Sequence, residues 1–286
     1  WTYELRFGQD SQKRQRIKRE VVWKGREMVR ERPDPDDRED PARLTQTHLE
    51  QVNVNKEFRE LAEFFGSVRY LHIVPQLVRD PDRYVGHSED PFGGDFLERV
   101  ARANKKTQVA RLRRIRDALK VAVPQLSEVE LWRDHKGRSH VRGKYEHWRP
   151  QGAWQTERDF SDGTLRLMGL LWAVLDGSGP LLLEEPELSL HSDVVSVLPE
   201  LFARIQRRSK RQIVVSTHSP DLLRGRGIGL DEVVVLQPGL EGTVGRLAAN
   251  FSEIRDLLDG GIELPEAVIP FTRPDDVDQL SLFGDS

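Results

Sequence analysis

Leu181-Leu182-Leu183-Glu184-Glu185-Pro186-Glu187-Leu188-Ser189-Leu190-His191 is the stretch whose reading decides the fold. Three apolar residues in a row suit a strand buried on both faces, and this one finishes on two carboxylates and a proline. Upstream, Phe160-Ser161-Asp162-Gly163-Thr164 opens a helical pattern through Leu165, Met168, Leu171, Trp172 and Leu175. Asp176-Gly177-Ser178-Gly179-Pro180 ends it. Downstream, Val194, Val197, Leu198, Leu201, Phe202 and Ile205 give a second helix, which Pro199 is expected to kink or restart. Gln212 to Ser216 reads as the next buried strand, Thr217-His218-Ser219-Pro220-Asp221 follows it, and Glu232 to Leu236 reads as a third strand. Strands alternating with helices predict a parallel sheet whose ligand edge lies at the strand C-termini. Glu184, Glu185 and His218 all fall at such ends.

Those residue types suit phosphoryl transfer, which needs positioning and charge neutralisation more than covalent chemistry. A carboxylate at a strand end can hold the hydration shell of Mg²⁺, and its neighbour can orient or deprotonate a water. A histidine after the next strand can sense a phosphate oxygen. Ser161 before Asp162-Gly163 at a helix start can offer a hydroxyl and backbone N–H groups to an anion. Each residue alone has a plainer explanation: Ser161 as a helix cap, Glu184 and Glu185 as a solvated strand end, His218 as a turn residue. Their joint order and spacing favour a site.

Residues 160–221 resemble the second half of an ABC-type ATPase head, in the branch that includes the SMC, RecF and OLD families. Phe160 to Thr164 is similar to the signature motif in its Ser-x-Gly core. Leu181 to Glu185 resembles the Walker B strand with its catalytic glutamate, Pro186 to His191 the D-loop, and Thr217 to Pro220 the switch histidine. The resemblance implies a P-loop NTPase fold of α/β class with a mostly parallel sheet, and ATP and Mg²⁺ as cofactors. It implies that Glu184 contacts Mg²⁺ through water, that Glu185 polarises the attacking water and that His218 contacts the γ-phosphate. Ser161, with Asp162 and Gly163, would cap the γ-phosphate of ATP on a partner head, with His191 closing the D-loop. Asp162 and Thr164 depart from the transporter consensus, and Glu184 stands where aspartate is commoner.

The rest of the chain sets limits. It has 286 residues, 32% of them charged, with a formal net charge of -3, so no global pull toward nucleic acid or membrane is expected. There is no cysteine, which removes disulfides, thiolate metal sites and cysteine nucleophiles and fits a cytoplasmic setting. No apolar run reaches the roughly 20 residues that span a bilayer. Residues 1–32 read as antiparallel strands with a Lys24-Gly25 turn, and 31–43, acidic and broken by proline, as a solvated loop. Phe58 to Phe65 reads as a short helix ended by Gly66, and Val68 to Val74 as a strand. Residues 79–95 read as a linker, and 95–123 as one helix with Leu97, Val100, Ala101, Val109, Leu112, Ile115, Leu119 and Val123 near one face. Arg99, Arg102, Lys105, Lys106, Arg111, Arg113, Arg114, Arg116 and Lys120 crowd its other faces, which suits either phosphate contact or a solvated surface. Leu126 to Trp148 reads as a hairpin, and its His135, His140 and His147 match no zinc spacing. Asp275, Asp276 and Asp278 read as a polar tail, because about fifty residues after the last strand are too few for a further domain.

The expected organisation is a β-rich N-terminal part over 1–78, a helical arm with hairpin over 79–155, the ATPase core over 156–240 and an extension over 241–286. No Gly-x-x-x-x-Gly-Lys-Ser/Thr phosphate loop occurs in residues 1–286. Losing three charge-assisted hydrogen bonds of about 1.5–3 kcal/mol each would weaken ATP binding by roughly three to six orders of magnitude. The phosphate-loop segment is therefore expected upstream of Trp1 or from another chain. The expected function is ATP hydrolysis by heads that dimerise around ATP, gating a DNA-linked activity such as repair or phage defence, with a separately encoded effector or nuclease as partner. The alternative is an ABC-like scaffold that binds DNA or a partner without turnover.

Overall fold

A computed structural model describes residues 1–80, 90–146, 153–239, 242–273, 277 and 279. The backbone divides into two units, residues 1–68 and 69–286. In the first, β1 (Thr2–Gln9), β2 (Gln15–Lys24) and β3 (Glu27–Arg32) form an antiparallel meander in that order. Gly25, at φ 61°, makes the tight β2–β3 turn that the Lys24-Gly25 pair predicts. Short helices α1 (Pro35–Glu39) and α2 (Arg59–Gly66) follow. The acidic segment is not a solvated loop. Asp34 and Asp37 form a capping box on α1, and Asp37 is buried against Arg32, with contacts of 2.7 and 2.9 Å. Arg32 also reaches the buried Glu20 at 3.0 Å. The hydrogen bonds from Arg32 hold the Asp37 carboxyl well below its ordinary range, against the upward push of burial. A local count of charges cannot see this, because the compensating cation comes from β3.

The second unit opens with β4 (Arg69–Leu71) and α3 (Pro75–Arg79). The single helix expected over 95–123 is two, α4 (Phe96–Arg102) and α5 (Lys105–Leu119), because Asn104 leaves helical geometry and caps α5 through the Thr107 N–H. Leu97, Val100, Leu112, Ile115 and Leu119 are buried, whereas Val109 faces solvent. Strands β5 (Leu126–Arg133), β6 (Ser139–Tyr145) and β7 (Ala153–Thr156) form an antiparallel sheet, one strand more than the expected hairpin. His140 is buried and paired with Glu157 at 2.6 Å, His135 is exposed, and His147 lies outside the described residues. No cluster of three metal-ligating side chains occurs among the described residues.

Next come α6 (Asp162–Leu175), β8 (Leu181–Glu184), α7 (Ser192–Ser209), β9 (Ile213–Ser216) and α8 (Pro220–Leu223). The parallel sheet runs β4-β8-β9, with Leu71, Leu183 and Val215 in one register row. Leu165, Met168 and Trp172 of α6 share a buried core with Leu71, Leu181 and Leu183. Helix α7 continues through Pro199, whose ring lies under Gly225 in a position where a Cβ would come within 2.5 Å, so tertiary packing holds the helix through the lost backbone bond.

The expected third parallel strand is elsewhere. Strand β10 (Val234–Gly239) pairs antiparallel with β11 (Gly242–Leu247), outside the parallel sheet. Only Val235 of this run is buried, while Val234 and Leu236 are exposed, so the apolar run is a one-sided strand. Val235 packs with Ala248, Phe251, Ile254, Ala267 and Val268 in a separate core that includes α9 (Ser252–Asp259) and α10 (Leu264–Val268). The segment after β10 therefore folds. Asp275, Asp276 and Asp278 lie outside the described residues. No described helix is long and apolar enough to cross a membrane.

Candidate functional site

Strand β8 ends at Glu184, directly opposite Ser216 at the end of β9. The Glu185 N–H donates to the Ser216 carbonyl at 2.9 Å, which extends the pairing by one residue before the chain turns. Glu185 itself adopts φ 42°, a left-handed conformation uncommon outside glycine. Ser189 does the same at φ 63°. Between them, Leu188 N–H bonds back to the Glu185 carbonyl and Leu190 N–H to the Glu187 carbonyl. Two left-handed residues in one short turn mark a backbone held in place by its surroundings, which is typical of functional loops.

The surroundings include the start of α6. A Cβ on Gly163 would sit 2.5 Å from the Ser189 carbonyl oxygen, so only glycine allows this approach. The segments quoted from the sequence thus meet at one place. Glu185 Oε1 lies 4.0 Å from His218 Nε2, with the imidazole almost fully exposed and the carboxylate part-buried. Glu187 is buried and accepts a short hydrogen bond from the Thr217 hydroxyl, which in turn accepts from the Ser219 N–H at 2.9 Å. That chain fixes the backbone on both sides of His218.

The remaining residues have visible structural duties. Ser161 caps α6, accepting from Thr164 N–H at 3.2 Å and meeting the Thr164 hydroxyl at 2.8 Å. Asp162 pairs with Arg79 at 2.6 Å, and Arg79 also reaches the Phe160 carbonyl at 2.6 Å. His191 caps α7, its Nδ1 accepting from Asp193 N–H at 3.2 Å, with the ring mostly exposed. Sequence reasoning missed Arg79, Glu187 and Arg166. Nothing near Arg79 announces a partner 83 positions away in Asp162, whereas Arg166, a lone cation inside an apolar helix, was a readable signal.

Glu184 shares a sheet face with Leu182 by the two-residue alternation of a strand. The Leu182 row runs Tyr70, Leu182, Val214, and its outer members Tyr70 and Val214 are 45% and 48% exposed. Parallel sheets ordinarily have both faces covered. Here the opposite face carries α6, and the face bearing Glu184 presents apolar side chains to solvent. Glu184, with Ser216 opposite it, supplies the kind of oxygen donor that Mg²⁺ takes, one or two carboxylates with water and phosphate oxygens completing the shell. A cleft of about 440 Å³ in residues 1–68, lined by Tyr3, Leu5, Phe7, Ile17 and Phe65, is apolar and holds none of these site residues.

Residues 1–224 match the family described as "AAA domain, putative AbiEii toxin, Type IV TA system". The match covers more than half of the chain, which belongs to this family of AAA-type ATPase domains. Solved SMC heads are among the structures to which the chain shows similarity, at low identity. A structure from work on ATP-driven dimerisation and DNA-stimulated activation of SMC ATPases is 12% identical, covers 54% of this chain and 94% of its own, and has a TM-score of 0.38. The Pyrococcus furiosus Smc head with an extended coiled coil, bound to the C-terminal domain of ScpA, is 13% identical over 52% of this chain and 38% of its own, at 0.37. The Thermotoga maritima SMC head is 14% identical over 58% of each chain, at 0.35. The chain thus spans less than two thirds of the latter two proteins, and the family assignment rests on the sequence match. No curated protein matches.

Proposed function

We propose that this chain is the signature-bearing part of an ATP-hydrolysing head that works as a dimer around ATP. The observation that carries the reading is the convergence at the C-terminal edge of β8 and β9, where Glu185 faces His218 at 4.0 Å and Gly163 packs on the turn between them. In this reading Glu185 holds and polarises the attacking water, and the exposed His218 meets the γ-phosphate. Glu184 would hold Mg²⁺ through water, and the ion, bound with ATP, would supply neutralisation of phosphate charge. Ser161, Asp162 and Gly163 form the surface offered to nucleotide on the partner head. Their backbone N–H groups do this work, since the Ser161 hydroxyl already caps the helix and Asp162 is held by Arg79. His191 flanks the same turn.

In this reading residues 1–286, which hold no phosphate-loop motif, do not themselves supply the phosphate cradle. The family description names a toxin–antitoxin system, which suits an ATPase that gates a defence activity or a separately encoded effector. DNA is the expected surface partner of α5. Arg111 is not available for it, being committed to Asp176 at 2.7 Å, so Lys106, Arg113 and Arg114 carry this part of the reading. Reversing those three charges lowers the salt dependence of DNA binding; an unchanged salt slope removes DNA from the reading.

The deciding experiment is ATP hydrolysis by the full-length protein against Glu185→Gln. The expected result is retained nucleotide binding with hydrolysis reduced at least about 100-fold, and a rate per head that rises with protein concentration. Hydrolysis indifferent to Glu185→Gln removes Glu185 from the catalytic role, and a wild type that binds nucleotide but does not hydrolyse it favours the scaffold that binds without turnover.

A further inference from the structure

Arg166 sits one turn into α6, where every residue that follows it in the helix is apolar, and is 6% exposed. Its Nε and Nη1 are buried without a hydrogen-bond partner. Across from the helix, Glu187 is 8% exposed; its Oε1 holds Thr217, and its Oε2 is likewise buried and unpartnered. Burial pushes the Arg166 guanidinium down from its ordinary range, while Asp162, Glu185 and Glu187 act on it in the opposite sense. Of those three carboxylates, Asp162 is already paired with Arg79 and Glu185 faces His218. Glu187 is the one of the three with an oxygen that is buried without a partner. An unpartnered buried cation and an unpartnered buried carboxylate oxygen are each costly alone, and closing them on one another relieves both.

We propose that Arg166 is a positioning residue that couples the signature end of α6 to the hydrolytic turn through Glu187. The observed part of the linkage runs Glu187, Thr217 hydroxyl, Ser219 N–H, the closing of Arg166 on the unpartnered Glu187 oxygen is its proposed first step, and together they bracket both candidate catalytic groups. Glu187 lies two residues after Glu185, and Thr217 immediately precedes His218. Gly163 against the Ser189 carbonyl is the second contact between the same helix and the same turn. A shift of α6 when its N-terminus meets an anion therefore moves Arg166 relative to Glu187 and resets the backbone that carries Glu185 and His218. The functional half of this inference rests on the ATPase reading above.

Two measurements on the full-length protein test it. The first is a thermal double-mutant cycle with Arg166→Met, Glu187→Gln and the pair, made without nucleotide. The expected outcome is a combined loss clearly smaller than the sum of the single losses, as for residues that share one interaction. The second is steady-state ATP hydrolysis. Arg166→Met is expected to lower kcat about tenfold with KM within about twofold, and Arg166→Lys to restore most of kcat by keeping the charge. Additive thermal losses overturn the linkage, and so does an equal fall of kcat in the Met and Lys variants. The thermal cycle does not depend on turnover, so a wild type that does not hydrolyse ATP rejects the ATPase reading and leaves the linkage to be judged by that cycle.

Discussion

The two ends of the β4-β8-β9 sheet differ in how they treat charge. At the end where the strands begin, charges are gathered around Asp176. Asp176 takes Arg99 at 2.5 Å and Arg111 at 2.7 Å, with Arg69 3.6 Å away. Arg211, buried, donates to the carbonyls of Ala173, Asp176 and Gly179 at 2.6–2.8 Å, closing the last turn of α6. The cost of crowding cations shows in Arg69, whose pKa burial and the neighbouring Arg99 bring down to about 10. At the end where the strands finish, Glu185 and His218 stand 4.0 Å apart, and the imidazole is 92% exposed. Stability is concentrated at the first end and free valence at the second. A sheet can leave groups uncommitted at one edge because the other edge is braced.

That contrast predicts mutations with opposite signatures. Glu185→Gln is expected to have the largest effect, about 10²- to 10⁴-fold on hydrolysis, with a melting temperature close to wild type. A comparable fall in melting temperature would mean that the finishing edge is structural too. Asp176→Ala is the converse: it strands Arg99 and Arg111 and is expected to cost about 3 kcal/mol in urea unfolding. A neutral result would break the claim that the starting edge is the brace.

The pH dependence of stability sharpens the same point. Burial pushes the Asp176 carboxyl up, but the hydrogen bonds and charges of Arg99 and Arg111 outweigh it, so its folded pKa is below the ordinary value. Its contribution is fully present above about pH 4, the unfolded value, and is lost as pH falls through the lower folded one. Asp176→Asn should therefore flatten the acid side of the stability curve, measured as melting temperature from pH 6 to pH 2. The smallest effects are expected from two further variants. His218→Ala should slow hydrolysis about tenfold and leave unfolding unchanged within about 0.5 kcal/mol, being exposed. Arg211→Lys should cost about 1 kcal/mol by losing part of its carbonyl contacts, with hydrolysis retained.

The sequence alone determined the strands and helices of residues 160–223 and the placement of Glu184, Glu185 and His218 at strand ends. These follow from local rules: continuous apolar runs for strands buried by their neighbours, 3.6-residue spacing for helices, and glycine or proline at the breaks. The β1–β3 meander was legible for the same reason. Only the tertiary structure decided which strands join. The run at Val234 looks as apolar as Leu181 to Leu183, yet it closes a hairpin with β11, because strand partners are chosen by distant packing. The acidic segment after Arg32 became ordered because Arg32 and Glu20 arrive from neighbouring strands, and Arg111 left the basic surface because Asp176 lies within its reach. In the site, sequence supplied the carboxylates and the histidine at their edge. Folding supplied what makes them a unit: Gly163 against Ser189, Asp162 held by Arg79, and Glu187 holding Thr217 beside His218. Local rules describe what a residue does to its own backbone. Which charge meets which is set by the distance between segments, and that is defined only once the chain has folded.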